Sequence, residues 1–144
     1  MRVGDLMGSR KEVFTITEET SVHQAAQYLR AKQVRTVGVL SANGKLTGVI
    51  SQSDISDKVA AENKCPAWMK AADIMTRELV TVTAEKTLDE CLLLMEQNSI
   101  FHLIVLNQHG DFRGMLSVKD ILRVVASDEK ARADLLESFI FPQR

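Results

Sequence analysis

Long apolar runs are missing from this chain: none approaches the roughly 20 residues that a membrane-spanning helix requires. Met1 to Lys11 lacks the apolar core of a secretory signal. Cysteine is scarce. Cys65 and Cys91 make no CxxC, and His23, His102 and His109 do not cluster with them, so neither a disulfide framework nor a zinc site is expected. These absences suit a reduced, cytoplasmic protein. Aromatic residues are only 5%, too few for a base-stacking platform, and the formal net charge is −1 with Lys and Arg spread among the acids. Neither nucleic acid nor an anionic membrane is an expected partner. There is no P-loop, no nucleophile elbow and no metal-ligand cluster, so the chain is not expected to be an enzyme. What is present is 144 residues, 45% hydrophobic and 26% charged, enough for a packed core.

The sequence repeats itself. At an offset of 66, Glu12 meets Glu78, Thr15 meets Thr81, Thr17 meets Thr83, and Val39-Leu40 meets Val105-Leu106. Gly44, Gly48, Ser51, Asp54 and Ile55 meet Gly110, Gly114, Ser117, Asp120 and Ile121. No gap is needed between Glu12 and Ala60. The N-terminal piece slips: Val3 to Met7 matches Ala71 to Met75 at an offset of 68. Chance gives about one identity in 15 positions at ordinary compositions, so this is an internal duplication.

Each copy predicts the order β-α-β-β-α. An extended run, Val13 to Ile16 or Leu79 to Val82, precedes a helix. Val22, Ala25, Ala26 and Leu29 form an apolar stripe in the first, and Leu88, Cys91, Leu92 and Met95 in the second. Ser21 with Gln24, and Thr87 with Glu90, read as capping boxes. Cys91 reads as a small core residue. Two strands follow, Thr36 to Leu40 with Leu46 to Ser51, and His102 to Leu106 with Phe112 to Ser117, joined by turns at Asn43-Gly44 and His109-Gly110. A second helix is expected near Asp54 and near Asp120. Trp68, between the copies, is expected to pack an inter-repeat seam. The tail from Ser127 reads as a further helix with Ala131, Leu135 and Phe139 on one face, then Ile140, Phe141 and a stop at Pro142.

The two strings Gly48-Val49-Ile50-Ser51-Gln52-Ser53-Asp54 and Gly114-Met115-Leu116-Ser117-Val118-Lys119-Asp120 offer chemistry. Each places a hydroxyl and a carboxylate three residues apart where a strand opens into a helix. The helix N-terminus favours an anion, and the carboxylate can accept from the two hydroxyls of a ribose. The same spacing is equally a capping box, with Ser at the N-cap and Asp at N3. On residues alone both meanings stand.

The whole pattern resembles the cystathionine-β-synthase (CBS) repeat, and two such repeats resemble a Bateman module of the stand-alone bacterial kind. The resemblance rests on an Asp-hydrophobic-Met lead-in, a Thr-bearing strand, a basic strand mouth, a turn Gly and the Gly-h-h-Ser-x-x-Asp string, from Val3 to about Ala126. It implies a mixed α/β (α+β) fold with repeats at 1–62 and 71–126, a linker at 63–70 and a helical tail at 127–144. The two repeats would pack sheet to sheet with pseudo-two-fold symmetry. It also implies an adenosine-containing ligand: AMP, ADP or ATP, with NADH or S-adenosylmethionine as alternatives. The implied ribose-binding residues are Asp54 and Asp120, and the phosphate-side hydroxyls Ser51 and Ser117. The adenine end falls on Thr15, Thr17, Thr81 and Thr83, and the phosphate-facing basic residues are Arg35 and His102. A proline common after that basic pair is replaced here by Gly38 and Ile104. The implied function is nucleotide sensing through a change in repeat or dimer geometry, with a homodimer and an unidentified protein target as partners. The alternative from a different class is a ligand-free assembly module, in which Ser51, Asp54, Ser117 and Asp120 only cap helices.

Overall fold

The structure is a computed structural model that describes residues 1–8, 13–127 and 129–140. A lead-in helix, α1 (Val3–Met7), comes first. The first copy then runs β1 (Thr15–Thr17), α2 (Val22–Lys32), β2 (Thr36–Leu40), β3 (Leu46–Ser51) and α3 (Gln52–Ile55), which widens into a π-helical turn over Ser56–Ala60. After a 3-10 turn at Pro66–Trp68, α4 (Ala71–Ile74) is the second lead-in helix. The second copy repeats the order with β4 (Thr81–Val82), α5 (Leu88–Asn98), β5 (His102–Leu106), β6 (Phe112–Ser117) and α6 (Val118–Ser127), and α7 (Glu129–Ile140) closes the chain. This is a mixed α/β fold with two three-stranded sheets.

The sheets have one topology. β1 lies parallel to β2, with Ile16 opposite Val39, and β2 lies antiparallel to β3, with Thr36 opposite Ser51 and Val37 opposite Ile50. β4, β5 and β6 repeat this, with Val82 opposite Val105 and His102 opposite Ser117. Each hairpin slips register at its turn end, between Val39 and Leu40 and between Val105 and Leu106. The turn glycines Gly44 and Gly110 sit at φ +79 and +82, a conformation that disfavours a Cβ.

The expected capping boxes at Ser21–Gln24 and Thr87–Glu90 are both formed. The helices α2 and α5 end without glycine. Gln33 (φ 56) and Ser99 (φ 53) take the left-handed cap, and the next amide reaches back in each case: Val34 N–H to Leu29 O at 3.1 Å, Ile100 N–H to Met95 O at 3.0 Å. In one core Val22, Ala25 and Leu29 of α2 pack on Val37, Val39 and Ile50. In the other, Leu88, Cys91 and Met95 of α5 pack on Leu103, Val105 and Leu116.

Two compact units result, one of Val13–Leu79 and one of Met1–Glu12 with Val80–Arg144. The lead-in segments are therefore exchanged. The segment before the first copy docks on the second: Val3 N–H donates to Lys86 O (2.8 Å), Gly4 N–H to Ala84 O (2.9 Å), and Leu88 N–H to Met1 O (3.1 Å). The segment before the second copy docks on the first in the same way, with Ala71 N–H to Thr20 O (2.7 Å) and Val22 N–H to Met69 O (2.8 Å). Val3 and Ala71 are fully buried in the cores they join.

The glycine opening each Gly-h-h-Ser string makes room for the lead-in methionine. A Cβ on Gly48 would lie 2.7 Å from Met75 Sδ and 2.9 Å from Thr76 O. A Cβ on Gly114, at φ +131, would meet Met7 Cε at 3.1 Å.

Trp68 departs from its expected role. It is 86% exposed in the 3-10 turn, and the next residue, Met69, packs against the core in its place because its carbonyl is fixed by Val22 N–H. The helices expected near Asp54 and Asp120 begin two residues earlier, at Gln52 and Val118, which puts both aspartates at N3. The tail helix is present as α7. The side chains of Ala131, Leu135, Phe139 and Ile140, to which the apolar stripe is assigned, and the stop at Phe141 and Pro142 lie outside what the structure describes. Among the described residues no helix is long and apolar enough to cross a membrane.

Two predictions follow from the packing. Gly48→Ala must displace Met75 or the Thr76 backbone, and should cost about 1–3 kcal/mol in urea denaturation. Cys91 is fully buried and burial pushes its thiol up to about 11, whereas Cys65 is exposed. A thiol reagent should therefore label one cysteine per folded chain, at Cys65, and two once the chain is unfolded.

Candidate ligand site

Where β3 gives way to α3, the backbone turns beside the mouth of β2. Gln52 N–H, the first helical amide, donates to Arg35 O at 3.0 Å. Ser51 Oγ accepts from Asp54 N–H at 3.1 Å, and Asp54 Oδ2 accepts from Ser51 N–H at 2.9 Å. The second copy matches. Val118 N–H donates to Phe101 O at 3.0 Å, Ser117 Oγ accepts from Asp120 N–H at 3.1 Å, and Asp120 Oδ2 accepts from Ser117 N–H at 2.9 Å. Both strings are thus closed capping boxes, and two amides of each first turn already have partners.

The copies differ around the aspartate. Asp54 is 8% exposed, the one buried polar or charged residue among the described residues. Its Oδ2 also accepts from Ser51 Oγ at 3.1 Å, and its Oδ1 accepts from Thr76 Oγ1 at 3.0 Å and pairs with Lys58 Nζ at 3.1 Å. Lys58 Nζ in turn donates to Ile74 O at 2.9 Å. Asp120 is only half-buried. At the positions matching Lys58 and Thr76 the second copy carries Val124 and Gly8, neither with a side-chain donor.

The remaining expected site residues divide by sheet position. Thr36 and His102 stand directly across the ladder from Ser51 and Ser117, so the basic strand mouth does meet the Ser–Asp turn. Arg35 is exposed one residue before Thr36. Thr15 and Thr81 pair with Gly38 and Ile104, midway along the central strands. Thr17 pairs with Leu40, at the opposite end of β2 from Thr36. Its hydroxyl lies 3.1 Å from Thr20 Oγ1. Thr83 follows β4 and donates to Glu85 Oε2 at 2.7 Å, which holds that carboxyl below its usual range. Thr17 and Thr83 are therefore not gathered with the Ser–Asp turns.

Sequence reasoning missed Lys58 and Thr76. Lys58 was detectable as the i+4 partner of Asp54 on a helix. Thr76 follows the lead-in methionine, and only the exchange of segments brings it to Asp54. Among the described residues no three His, Cys, Asp or Glu side chains gather as a metal site.

The CBS domain family matches residues 3–61 and 71–127. An uncharacterized protein of Methanocaldococcus jannaschii is 26% identical over 126 residues, covering 88% of this chain and 40% of that protein. A homoserine O-acetyltransferase of Methanohalophilus mahii is 29% identical over 130 residues, covering 90% of this chain and 26% of the enzyme. The chain thus spans less than half the length of these relatives. Among solved structures, CBS domain protein PAE2072 from Pyrobaculum aerophilum, complexed with AMP, superposes with a TM-score of 0.80 at 19% identity, covering 94% of this chain and 98% of that one. The CBS domain pair of protein MJ0100, in complex with 5′-methylthioadenosine and S-adenosyl-L-methionine, gives a TM-score of 0.78 at 25% identity, covering 88% and 97%.

The four contacts on Asp54 predict its weight in the fold. Asp54→Asn should cost about 2–4 kcal/mol, because it weakens charged hydrogen bonds and strands a lysine partner. Ser117→Ala, which removes a single cap, should cost about 1 kcal/mol, both read by chemical denaturation.

Proposed function

The chain belongs to the CBS-domain family, and from that premise we propose that it is a regulatory module taking an adenosine-containing ligand, and not an enzyme. The ligand class is AMP, ADP or ATP, with NADH or S-adenosylmethionine as the alternatives. The observation that carries this reading is the second-copy turn. Ser117 and Asp120 stand at the start of the ten-residue helix α6, with His102 across the ladder from Ser117. In the proposal the Asp120 carboxylate accepts from the ribose hydroxyls, and the Ser117 side and His102 meet the phosphates, the imidazole adding charge when protonated. Thr81 serves the adenine end. The matching first-copy set is Thr15, Arg35, Ser51 and Asp54, and Thr17 and Thr83, which lie away from the Ser–Asp turns, are left out of it. The MJ0100 pair, whose ligands both contain adenosine, supports the ligand class.

Regulation follows from differential affinity. A ligand moves the balance between two arrangements of the repeats, or of a homodimer, only as far as it binds one better than the other. A second reading has its own observation: both Ser–Asp pairs are closed capping boxes. They would serve equally in a ligand-free module whose task is assembly.

Calorimetric titration with AMP, ADP, ATP, NADH and S-adenosylmethionine separates the two. Under the sensor reading one of these binds saturably, and Asp120→Ala weakens it roughly tenfold or more, the worth of a charged hydrogen bond. No binding by any of the five, in a folded protein, leaves assembly as the function.

A further inference from the structure

We propose that the two grooves that hold the lead-in segments are recognition sites of different side-chain specificity. The groove of the second copy's unit selects a large apolar residue followed by glycine. The groove of the first copy's unit selects two small residues that each carry a Cβ. These volumes direct each lead-in segment to the unit of the other copy.

The main chain does not make this choice. At the start of each segment three backbone hydrogen bonds correspond one for one. Val3 N–H to Lys86 O, Gly4 N–H to Ala84 O and Leu88 N–H to Met1 O match Ala71 N–H to Thr20 O, Ala72 N–H to Glu18 O and Val22 N–H to Met69 O. Most side chains are equally neutral. Arg2 and Lys70 are both basic, and Asp5 and Asp73 both accept from the N-cap amide of their own short helix. Met7 and Met75 both meet a strand glycine. What remains is Val3-Gly4 against Ala71-Ala72.

At the second of these positions the two grooves differ in clearance. A Cβ on Gly4 would lie 3.1 Å from Ala84 Cβ and 3.2 Å from Ala84 O. Without one, the Gly4 amide closes to 2.9 Å on Ala84 O, whereas Ala72 N–H stands 3.2 Å from Glu18 O. Ala72 packs, partly buried, against the first core. The Glu18 carboxylate is engaged elsewhere, accepting from Thr47 Oγ1 on β3 at 2.9 Å. Nothing in α1 itself asks for glycine: the Gly4 backbone is not at positive φ, and alanine is the better helix former. At the first position Val3 and Ala71 are both fully buried. Valine at 71 would add two methyl groups to a closed core, and alanine at 3 would leave a cavity. Docking also sets which methionine each Gly-h-h-Ser string receives, Met75 at Gly48 and Met7 at Gly114, so both Ser–Asp turns depend on it.

The test is a mutant cycle on the intact chain, read by thermal unfolding. Gly4→Ala should lower Tm by roughly 3–10 °C, as overpacking does in a chain of this size. The fall should be clearly smaller in an Ala84→Gly background, where the opposing methyl is gone. Equal falls in the two backgrounds overturn the specificity of the second groove. If Gly4→Ala alone does not fold, folding of Gly4→Ala with Ala84→Gly supports the proposal, and failure of that pair overturns it. Hydrogen exchange locates the damage: Gly4→Ala should expose the Val3, Gly4 and Leu88 amides and leave those of α2 protected, and a uniform loss of protection counts against a docking defect. For the first groove, Ala71→Val should lower Tm to a similar extent, and an unchanged Tm overturns that half.

Discussion

The fold depends on the exchange of lead-in segments. Each sheet and its helix leave an edge and a core position unfilled, and what fills them is the short helix preceding the other copy. Backbone hydrogen bonds fix the position, as between Ala71 and Thr20 or Val3 and Lys86, and a buried side chain completes the core. The methionine following each lead-in helix then needs a strand without a Cβ, and Gly48 and Gly114 supply it. The glycine of the Gly-h-h-Ser string is thus a packing requirement set by a residue from the other repeat. This also explains the slip from 66 to 68 in the repeat offset. The lead-in segment and the body of a repeat are separate docking partners, so the chain between them can differ in length without disturbing either interface.

Much of this was legible because the relevant signals are local. Helix stripes at Val22–Leu29 and Leu88–Met95, Ser21 and Thr87 caps, and glycine turns at positive φ each depend on a few neighbouring residues. Duplication doubled every signal. The helix ends at Gln33 and Ser99 were not marked, because neither is the glycine that usually takes a left-handed cap. Trp68 misled for a related reason: large aromatics are usually buried, but the backbone docking at Met69 turned the neighbouring tryptophan outward. Lys58 and Thr76 show the deeper limit. Thr76 lies 22 residues from Asp54 in sequence, and their contact exists only through the segment exchange.

The two Ser-x-x-Asp strings show how far a motif carries an assignment. Their backbone geometry agrees to within 0.1 Å at the Ser N–H and Asp N–H bonds. As strings they predict one role. The difference comes from a lysine four residues on and a threonine from the lead-in segment, both outside the string. Duplication copies a helix cap faithfully because the cap is needed for folding. It places no such demand on the neighbours, so around Asp54 a lysine and a threonine add contacts that the string itself does not specify.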